Sequence, residues 1–268
     1  MRRVFRKHRM IPAFYTDDGS GLPVLFLHAF PLNSTMWRAQ RRDLSSFFRI
    51  LTFDLPGFGR GGPFPDGFSI DDAADMAAAL LDERGIDRAV ICGCSMGGYI
   101  AMSMLRRHPD RLAGLILANT RAGADTPAAR DNRARQAADV REGGMPDFLD
   151  EMLGKLLGET TVGTSPDVVR LVEDIMKQAT PEGVAGMLEA MAARPDSAGD
   201  LRATHLPTCV IAGEEDTLIL PSEAESMVEL LDDGELNIVP NCGHLSCLER
   251  PVRFNAIIRT FLQTHVLS

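Results

Sequence analysis

Short, continuously apolar runs recur along the chain and alternate with segments of helical periodicity. We predict strands at six of these runs: Val24–Leu27, Ile50–Phe53, Ala89–Cys92, Leu115–Leu117, Cys209–Ile211 and Leu236–Val239. Most of them are apolar at every position, which is typical of strands covered on both faces, as in a parallel sheet. A leading hairpin is a further candidate at Val4–Tyr15.

Helical patterns occupy the gaps between these strands. The helix at Ser69–Glu83 begins with a capping box of Ser69 and Asp72, and Gly85 follows its end. We predict three more helices: Gly97–His108, Ser222–Leu231 and Pro251–Leu267. Regular strand–helix alternation predicts an α/β fold, with a mostly parallel twisted sheet flanked by helices.

One long stretch interrupts the alternation. Residues 121–203 contain no predicted strand, and their four helical patterns are set off by prolines: Pro127, Pro146, Pro166 and Pro181. We therefore predict a helical cap at residues 121–203, inserted before the late strands. The core would consist of residues 1–120 and 204–268.

Composition narrows the class of partner. The 268 residues are 45% hydrophobic and 24% charged, which is ordinary for a globular protein. Twenty-eight basic and 37 acidic residues give a formal net charge of −9, which argues against a nucleic-acid partner. No apolar run approaches the roughly 20 residues of a membrane helix. The basic residues near Arg2 are followed by Pro12 and Asp17, not by the apolar run of a secretion signal, so we expect a cytoplasmic protein.

The cysteine pattern does not predict a metal site. Five cysteines are present, and no two form a Cys-x-x-Cys pair, so we interpret them as buried free thiols. The sequence also contains no His-Glu-x-x-His motif, no phosphate-loop lysine motif and no zinc-ligand spacing. We therefore expect neither a metal nor a cofactor.

A candidate nucleophile lies between a predicted strand and a predicted helix. The segment Gly93-Cys94-Ser95-Met96-Gly97 has the form G-x-S-x-G, in which the serine occupies a tight turn and projects its Oγ above the sheet. Small residues on both sides let the strand and the helix approach closely. In that position, the backbone N–H of Met96 is directed toward a developing oxyanion.

Later loops supply a base and an acid. His244 is the histidine that lies in a loop after a late strand, and we predict it as the base. The turn after Cys209–Ile211 contains three consecutive acids, of which Asp216 is favoured by its register and Glu215 is the alternative. Both loops follow the carboxyl ends of strands, where open α/β sheets build their sites.

The loop after Val24–Leu27 is the predicted source of a second oxyanion donor. Phe30 offers a backbone N–H, whereas Pro31 has none. We expect His28 to brace this loop rather than to act as a base. The segment Asp54–Gly59 is glycine-rich, but it lacks the third glycine and the helix of a phosphate site, so we interpret it as a structural turn.

These motifs together resemble the α/β-hydrolase superfamily over nearly the whole chain. The matching segments are Leu25–Leu32, Asp54–Gly59, Gly93–Gly98, Gly213–Asp216, and Gly243-His244 with Glu249 and Pro251. The segments Asn119–Pro127 and Arg194–Asp196 are similar to the branch of 3-oxoadipate enol-lactonases and small esterases. One departure is Ala29, where the superfamily usually has glycine.

The resemblance implies a serine hydrolase that cleaves a small carboxylic ester or lactone. Ser95, His244 and Asp216 would form its triad, and the N–H groups of Phe30 and Met96 its oxyanion hole. Alternatives on the same site are a 3-oxoadipate enol-lactonase specifically, a carbon–carbon bond hydrolase or a perhydrolase. Epoxide hydrolases and haloalkane dehalogenases fit less well, since they carry aspartate at the position of Ser95. A small-molecule receptor without turnover is the alternative outside the enzymes.

The predicted cap offers candidate substrate contacts. Met187 and Met191 lie four residues apart and share a helix face, so they line either the pocket or the core. Arg121, Arg130, Arg133 and Arg194 are candidates for binding a carboxylate on the substrate, and their alternative is a solvated helix face.

Overall fold

The computed structural model describes residues 10–267, and within them seven strands form one sheet. The strands are β1 (Tyr15–Asp18), β2 (Pro23–Leu27), β3 (Arg49–Phe53), β4 (Ala89–Cys94), β5 (Leu112–Ala118), β6 (Thr208–Gly213) and β7 (Gly234–Val239). Their order across the sheet is β1-β3-β2-β4-β5-β6-β7, and every neighbouring pair except β1 with β3 is parallel.

The six strands predicted from the sequence are confirmed. Every residue of β4 and β6 is buried, because helices cover both faces of the sheet. One face packs against α2 (Ile70–Glu83), α3 (Met96–Arg107) and α10 (Pro221–Val228), and the other against α1 (Arg38–Leu44) and α12 (Pro251–Phe261). A short helix, α11 (Ser246–Glu249), precedes α12.

The first strand differs from the predicted leading hairpin. Residues 4–9 of that prediction lie outside the described residues, and residues 10–14 form no strand. Tyr15 alone of the predicted segment enters β1, which pairs with β3 in an antiparallel direction. The hairpin is therefore wrong where it can be compared, because the partner of β1 lies more than thirty residues along the chain.

The helix predicted at Ser69–Glu83 forms with its capping box. The Ser69 side chain accepts from the backbone N–H of Asp72, and the Asp72 carboxylate accepts from the backbone N–H of Ser69. The two late helices are confirmed with shorter bounds. Helix α10 ends at Val228, and α12 ends at Phe261 and continues as a wider turn over Leu262–Val266.

Residues 121–203 are all described and contain helices but no strand. The helices are α4 (Pro127–Asp139), α5 (Met145–Leu156), α6 (Glu159–Thr164), α7 (Pro166–Met176), α8 (Pro181–Ala193) and α9 (Ala198–Arg202). Proline occupies the first or second position of α4, α5, α7 and α8, where a missing N–H leaves no intrahelical bond unmade. The exact limits of a cap domain remain a prediction.

A single buried carboxylate ties the two ends of this helical segment together. Asp125 pairs with Arg121 (2.6 Å), with Arg133 on α4 (2.6 Å) and with Arg194 after α8 (2.8 Å). Burial opposes the ionisation of Asp125, but the charges of Arg133 and Arg194 and their hydrogen bonds outweigh it and lower its pKa to about 2. The backbone N–H of Ser197 also donates to the carbonyl of Ala122 (3.0 Å), so the chain enters and leaves the segment at one cross-linked place.

All five cysteines are buried free thiols. Burial raises the pKa of Cys209 and that of Cys242, the latter to about 12, so neither thiol ionises near neutral pH. Among residues 10–267, no group of histidine, cysteine and acidic side chains is arranged to hold a metal ion. The described helices are also too short or too polar to cross a membrane.

Replacing the buried carboxylate tests how strongly it holds the helical segment. We expect Asp125→Asn to lower the free energy of unfolding at pH 7 by about 2 to 4 kcal/mol, because three arginines lose their buried counter-charge. The folded-state pKa of Asp125 lies below the unfolded value of 3.8, so its contribution is fully present above about pH 5. The contribution falls to about half at pH 3, because protonation of Asp125 then favours the unfolded state.

Urea unfolding at pH 7 and pH 3 measures this effect. Asp167→Asn is the matched control, because Asp167 pairs with Arg170 on the surface and its side chain is 92% exposed. We expect the control to change stability by less than about 0.5 kcal/mol at both pH values. Equal losses in the two variants would contradict a special role for Asp125.

Candidate active site

Ser95 occupies a strained turn between β4 and α3. Its backbone has φ 54° and ψ −113°, a conformation that non-glycine residues rarely adopt, and Met96 begins the helix directly after it. Flanking glycines permit the turn, since a Cβ atom on Gly93 would lie 2.1 Å from the carbonyl oxygen of Gly97. The backbone N–H of Ser95 donates to the carbonyl of Ala118 at the end of β5 (2.9 Å). Ser95 is therefore held above the carboxyl ends of adjacent strands.

Asp216 and His244 meet beside this turn. Asp216 lies three residues after β6, and His244 lies five residues after β7. The Nδ1 atom of His244 is 2.8 Å from Oδ2 of Asp216, and both residues are only 2% exposed. Glu215, the alternative acid, points elsewhere: its carboxylate accepts from the backbone N–H and the hydroxyl of Thr160. The geometry brings Asp216, and not Glu215, to the histidine.

The electrostatics of this pair fix the proton on the histidine ring. Burial opposes the ionisation of Asp216, but the charge of His244 and hydrogen bonds from His244, Ile219 and Asn119 together lower its pKa. An ionised carboxylate can only accept, so Nδ1 of His244 carries the hydrogen of the 2.8 Å bond. In the neutral ring, the other nitrogen, Nε2, is the acceptor that can take a proton.

Asn119 is a site residue that the sequence reasoning missed. It lies at the end of β5 with φ 47°, and it is 1% exposed. Its Nδ2 donates to Oδ2 of Asp216 (3.0 Å) and to the carbonyl of Gly243 (3.1 Å), while its Oδ1 accepts from the Ser246 hydroxyl (2.6 Å). One side chain thus links the acid to the histidine loop. No pattern in the sequence distinguishes Asn119 from other polar residues that follow a strand.

Glu249 holds the histidine loop from its other side. Its carboxylate accepts backbone N–H groups from Gly243 and Leu245, which flank His244, at 3.0 Å. It also accepts from the N–H of Gly158, between α5 and α6 (2.9 Å). Glu249 belongs to a motif recognisable in the sequence, and its contacts in the structure position the histidine loop.

The loop after β2 contributes Phe30 to the site. His28 is buried in this loop: its Nδ1 donates to the carbonyl of Ala29 (3.0 Å), and its Nε2 accepts from the backbone N–H of Leu55 (3.1 Å). Burial lowers the pKa of His28, which keeps it neutral. His28 thus braces the loop, as expected from the sequence. The Ala29 N–H donates to Sδ of Met36 (3.2 Å) and the Leu32 N–H to the carbonyl of Ala29 (2.9 Å), whereas the Phe30 amide has no acceptor within residues 10–267.

The Asp54–Gly59 segment is a structural turn. The Asp54 carboxylate accepts from the backbone N–H of Ser34 (2.8 Å) and of Arg60 (2.8 Å), so it cross-links this turn to the loop that follows β2.

A cavity of about 200 Å³ brings Ser95, His244 and Phe30 together. Its other lining residues come from the loops and from the helical segment: Tyr99, Arg121, Ala129, Asn132, Arg133, Gln136, Met152, Lys155, Leu188, Met191, Leu218 and Ile219. A separate apolar cavity of about 270 Å³ lies between α5 and α7 and contains none of the predicted site residues.

The predicted substrate contacts divide in two. Arg121 and Met191 line the cavity, whereas Met187 is fully buried and Leu188 takes the position facing the cavity instead. Arg194 lies behind Tyr99, with its guanidinium 3.9 Å from the centre of that ring, and it does not line the cavity. Helix α8 is buried on nearly every face, so the four-residue spacing of the methionines did not identify the side that faces the substrate.

Comparison with known proteins places the fold in a family. Residues 23–251 match the family model for the alpha/beta hydrolase fold. A pimeloyl-[acyl-carrier protein] methyl ester esterase of Nitrosospira multiformis is 31% identical over 91% of this chain and 95% of that protein.

Solved structures agree with this match. A thermophilic esterase from Thermogutta terrifontis, solved with malate bound, is 40% identical, with a TM-score of 0.92 over 94% of this chain and 93% of that chain. The enol-lactonase from Burkholderia xenovorans is 26% identical, with a TM-score of 0.86 over 93% of this chain and 96% of that chain. The chain therefore belongs to the α/β-hydrolase fold family and is an enzyme of the hydrolase class.

Proposed function

We propose that this protein is a serine hydrolase that cleaves a small carboxylic ester or lactone through an acyl-enzyme. The observation that carries the proposal is the 2.8 Å bond between Asp216 and His244, because His244 lines the same cavity as Ser95. Esterases and an enol-lactonase among the similar proteins support the same class of substrate.

The first half-reaction forms the acyl-enzyme. Ser95 Oγ attacks the carbonyl carbon while Nε2 of His244 takes the hydroxyl proton, and Asp216 stabilises the imidazolium that results. The N–H groups of Phe30 and Met96 bind the oxyanion of the tetrahedral intermediate. Met96 is suited to this because the first N–H of a helix has no intrahelical acceptor. The carbon–oxygen bond then breaks, and the leaving oxygen takes the proton from His244.

The second half-reaction releases the acid. Water attacks the acyl carbon as His244 takes its proton, and Ser95 leaves with that proton, which restores the free enzyme. For a lactone, the leaving oxygen stays attached to the acyl group, so one product results instead of two. A cavity of this size bounded by helices also limits the water around the intermediate.

Substitution of the nucleophile tests the mechanism. We expect Ser95→Ala to lower kcat on p-nitrophenyl acetate by at least about 10⁴-fold, because the nucleophile is lost while the binding groups remain. Ser222→Ala is the matched control, since Ser222 is exposed at the start of α10. We expect that variant to keep the wild-type rate.

A fluorophosphonate label separates the enzyme from a receptor on the same fold. The wild-type protein should gain the label on Ser95, as mass spectrometry of the peptide would report, and Ser95→Ala should not. A folded wild-type protein that neither takes the label nor hydrolyses esters would overturn the proposal in favour of a receptor.

Asn119 provides a test of the hydrogen-bond network behind the triad. We expect Asn119→Gly to lower kcat by about 10- to 100-fold with little change in KM, because Asp216 and the histidine loop lose their shared donor. Glycine tolerates the φ of 47°, so the backbone conformation is retained. The rate of fluorophosphonate labelling should fall by the same factor as kcat.

A second asparagine supplies the control for this substitution. Asn241 also has a positive φ, 56°, but it is exposed. Asn241→Gly should therefore leave kcat within about twofold of wild type. Similar losses in both variants would indicate a general effect of glycine in these loops, and would remove Asn119 from the positioning network.

A further inference from the structure

The cavity beside Ser95 has one apolar side and one polar side. Leu188 and Met191 on α8, with Leu218 and Ile219 after β6, form the apolar side. The polar side comes from one face of α4, where Ala129, Asn132, Arg133 and Gln136 follow the spacing i, i+3, i+4, i+7. A ligand that fits both sides has an apolar stem and a polar end.

The polar side carries positive charge. Arg121, Arg133 and Lys155 line the cavity, and no acidic side chain does so among the described residues. The acidic groups around them lie outside the lining. Lys155 pairs with Glu151, Glu223 acts on Arg121 from a distance, and Asp125 lies behind the arginines. One Asp125 carboxylate faces three guanidinium groups, which leaves an excess of positive charge at the cavity wall.

The three arginines are not equivalent. Arg194 is 5% exposed, and its guanidinium contacts Asp125. It also donates to the carbonyls of Met191 and Gly123. The same group lies over the ring of Tyr99. It is therefore fully engaged in holding the fold. Arg121 and Arg133 each bind Asp125 through one nitrogen only, Nη2 and Nε respectively.

The remaining donors of Arg121 and Arg133 have no acceptor among the described residues. The Nε atom of Arg121 is buried and has no hydrogen-bond partner within residues 10–267. The terminal nitrogens of Arg133 likewise have no acceptor in that part of the chain. A buried guanidinium donor left unbonded is unfavourable, and a carboxylate is the group whose planar pair of oxygens fits it.

We propose that the cavity binds an ester or lactone bearing a free carboxylate, which Arg121 and Arg133 bind while the reacting carbonyl lies at Ser95. This inference rests on the proposed function for the position of the reacting carbonyl. The substrate class is then the half-ester or lactone of a dicarboxylic acid, with a short apolar stem along Leu188 and Met191. The structural role of the arginines toward Asp125 is retained, because each uses a different nitrogen for it.

Paired esters that differ only in charge test the proposal. The monomethyl esters of succinate, glutarate and adipate are each compared with the neutral methyl ester in which a methyl group replaces the carboxylate. We expect kcat/KM for at least one half-ester to exceed that of its neutral partner by about tenfold or more. In Arg121→Gln and Arg133→Gln this ratio should fall by about tenfold, toward equal rates for the two esters, mainly through KM.

The controls separate charge from folding. Arg130 lies on α4 like Arg133, but it is exposed and does not line the cavity. Arg130→Gln should therefore keep the wild-type ratio of kcat/KM for the charged and neutral esters. Arg121→Lys keeps the charge and should retain part of the preference. Urea unfolding reports whether Arg121→Gln and Arg133→Gln remain folded at the assay temperature.

Binding is measured separately from turnover. Calorimetry with Ser95→Ala should detect the preferred half-ester, and the same protein carrying Arg121→Gln should bind it about tenfold more weakly. Equal kcat/KM for charged and neutral esters in the wild type, with turnover that depends on Ser95, would overturn the anionic site and leave the proposed function standing. Binding of the half-ester by a wild-type protein that shows no Ser95-dependent turnover would overturn the proposed function and leave the anionic site standing.

Discussion

A Cβ atom on Gly97 would lie 2.1 Å from the carbonyl oxygen of Leu27, and one on Gly98 would lie 2.5 Å from the side chain of Thr120. The start of α3 is thus in backbone contact with the end of β2 and packs directly on the segment after β5. Thr120 also donates its hydroxyl to the carbonyl of Ser95 (2.8 Å). Because these approaches leave no room for adjustment, the Phe30 loop, Ser95 and Asn119 hold fixed positions relative to one another.

Buried carboxylates extend this fixed arrangement into the loops. Asp54 binds the turn after β3 to the loop after β2, Asp216 accepts the N–H groups of Leu218 and Ile219, and Glu249 holds both sides of His244. Loops cannot satisfy their own N–H groups as helices and strands do, and an ionised carboxylate is a strong acceptor for them. Through Gly158, Glu249 also fixes the start of α6 to the histidine loop, so the helical segment and the candidate base share one support.

The sequence predicted features that depend on local pattern and failed where a partner is distant. Strands β2 to β6 are recognisable because burial on both faces makes them mostly apolar, and proline marks four helix starts. Strand β7 is recognisable from a shorter apolar pattern, since only Val239 of this strand is buried. Asp216 follows from its position after a strand. In contrast, β1 is a strand only because β3 pairs with it, and α1 buries just Gln40 and Leu44, which is too few for a helical pattern. Asn119 and Arg194 acquire their roles from hydrogen bonds with residues about 65 to 130 positions away. Leu188 lines the cavity because packing decides which side of α8 faces it.

The charge of the protein illustrates the same limit. A formal charge of −9 averages over the whole surface, and charges on that surface act weakly beyond a Debye length of about 8 Å at physiological ionic strength. Arg121 and Arg133 act at contact distance in a cavity partly shielded from water, where the effective dielectric is lower and the interaction correspondingly stronger. Net charge therefore bears on solubility and on nucleic acids, whereas the charge of a small substrate is decided by the few side chains beside Ser95. An acidic protein and a cationic pocket are compatible because Asp125 lies behind the arginines, where it orients them without facing the ligand.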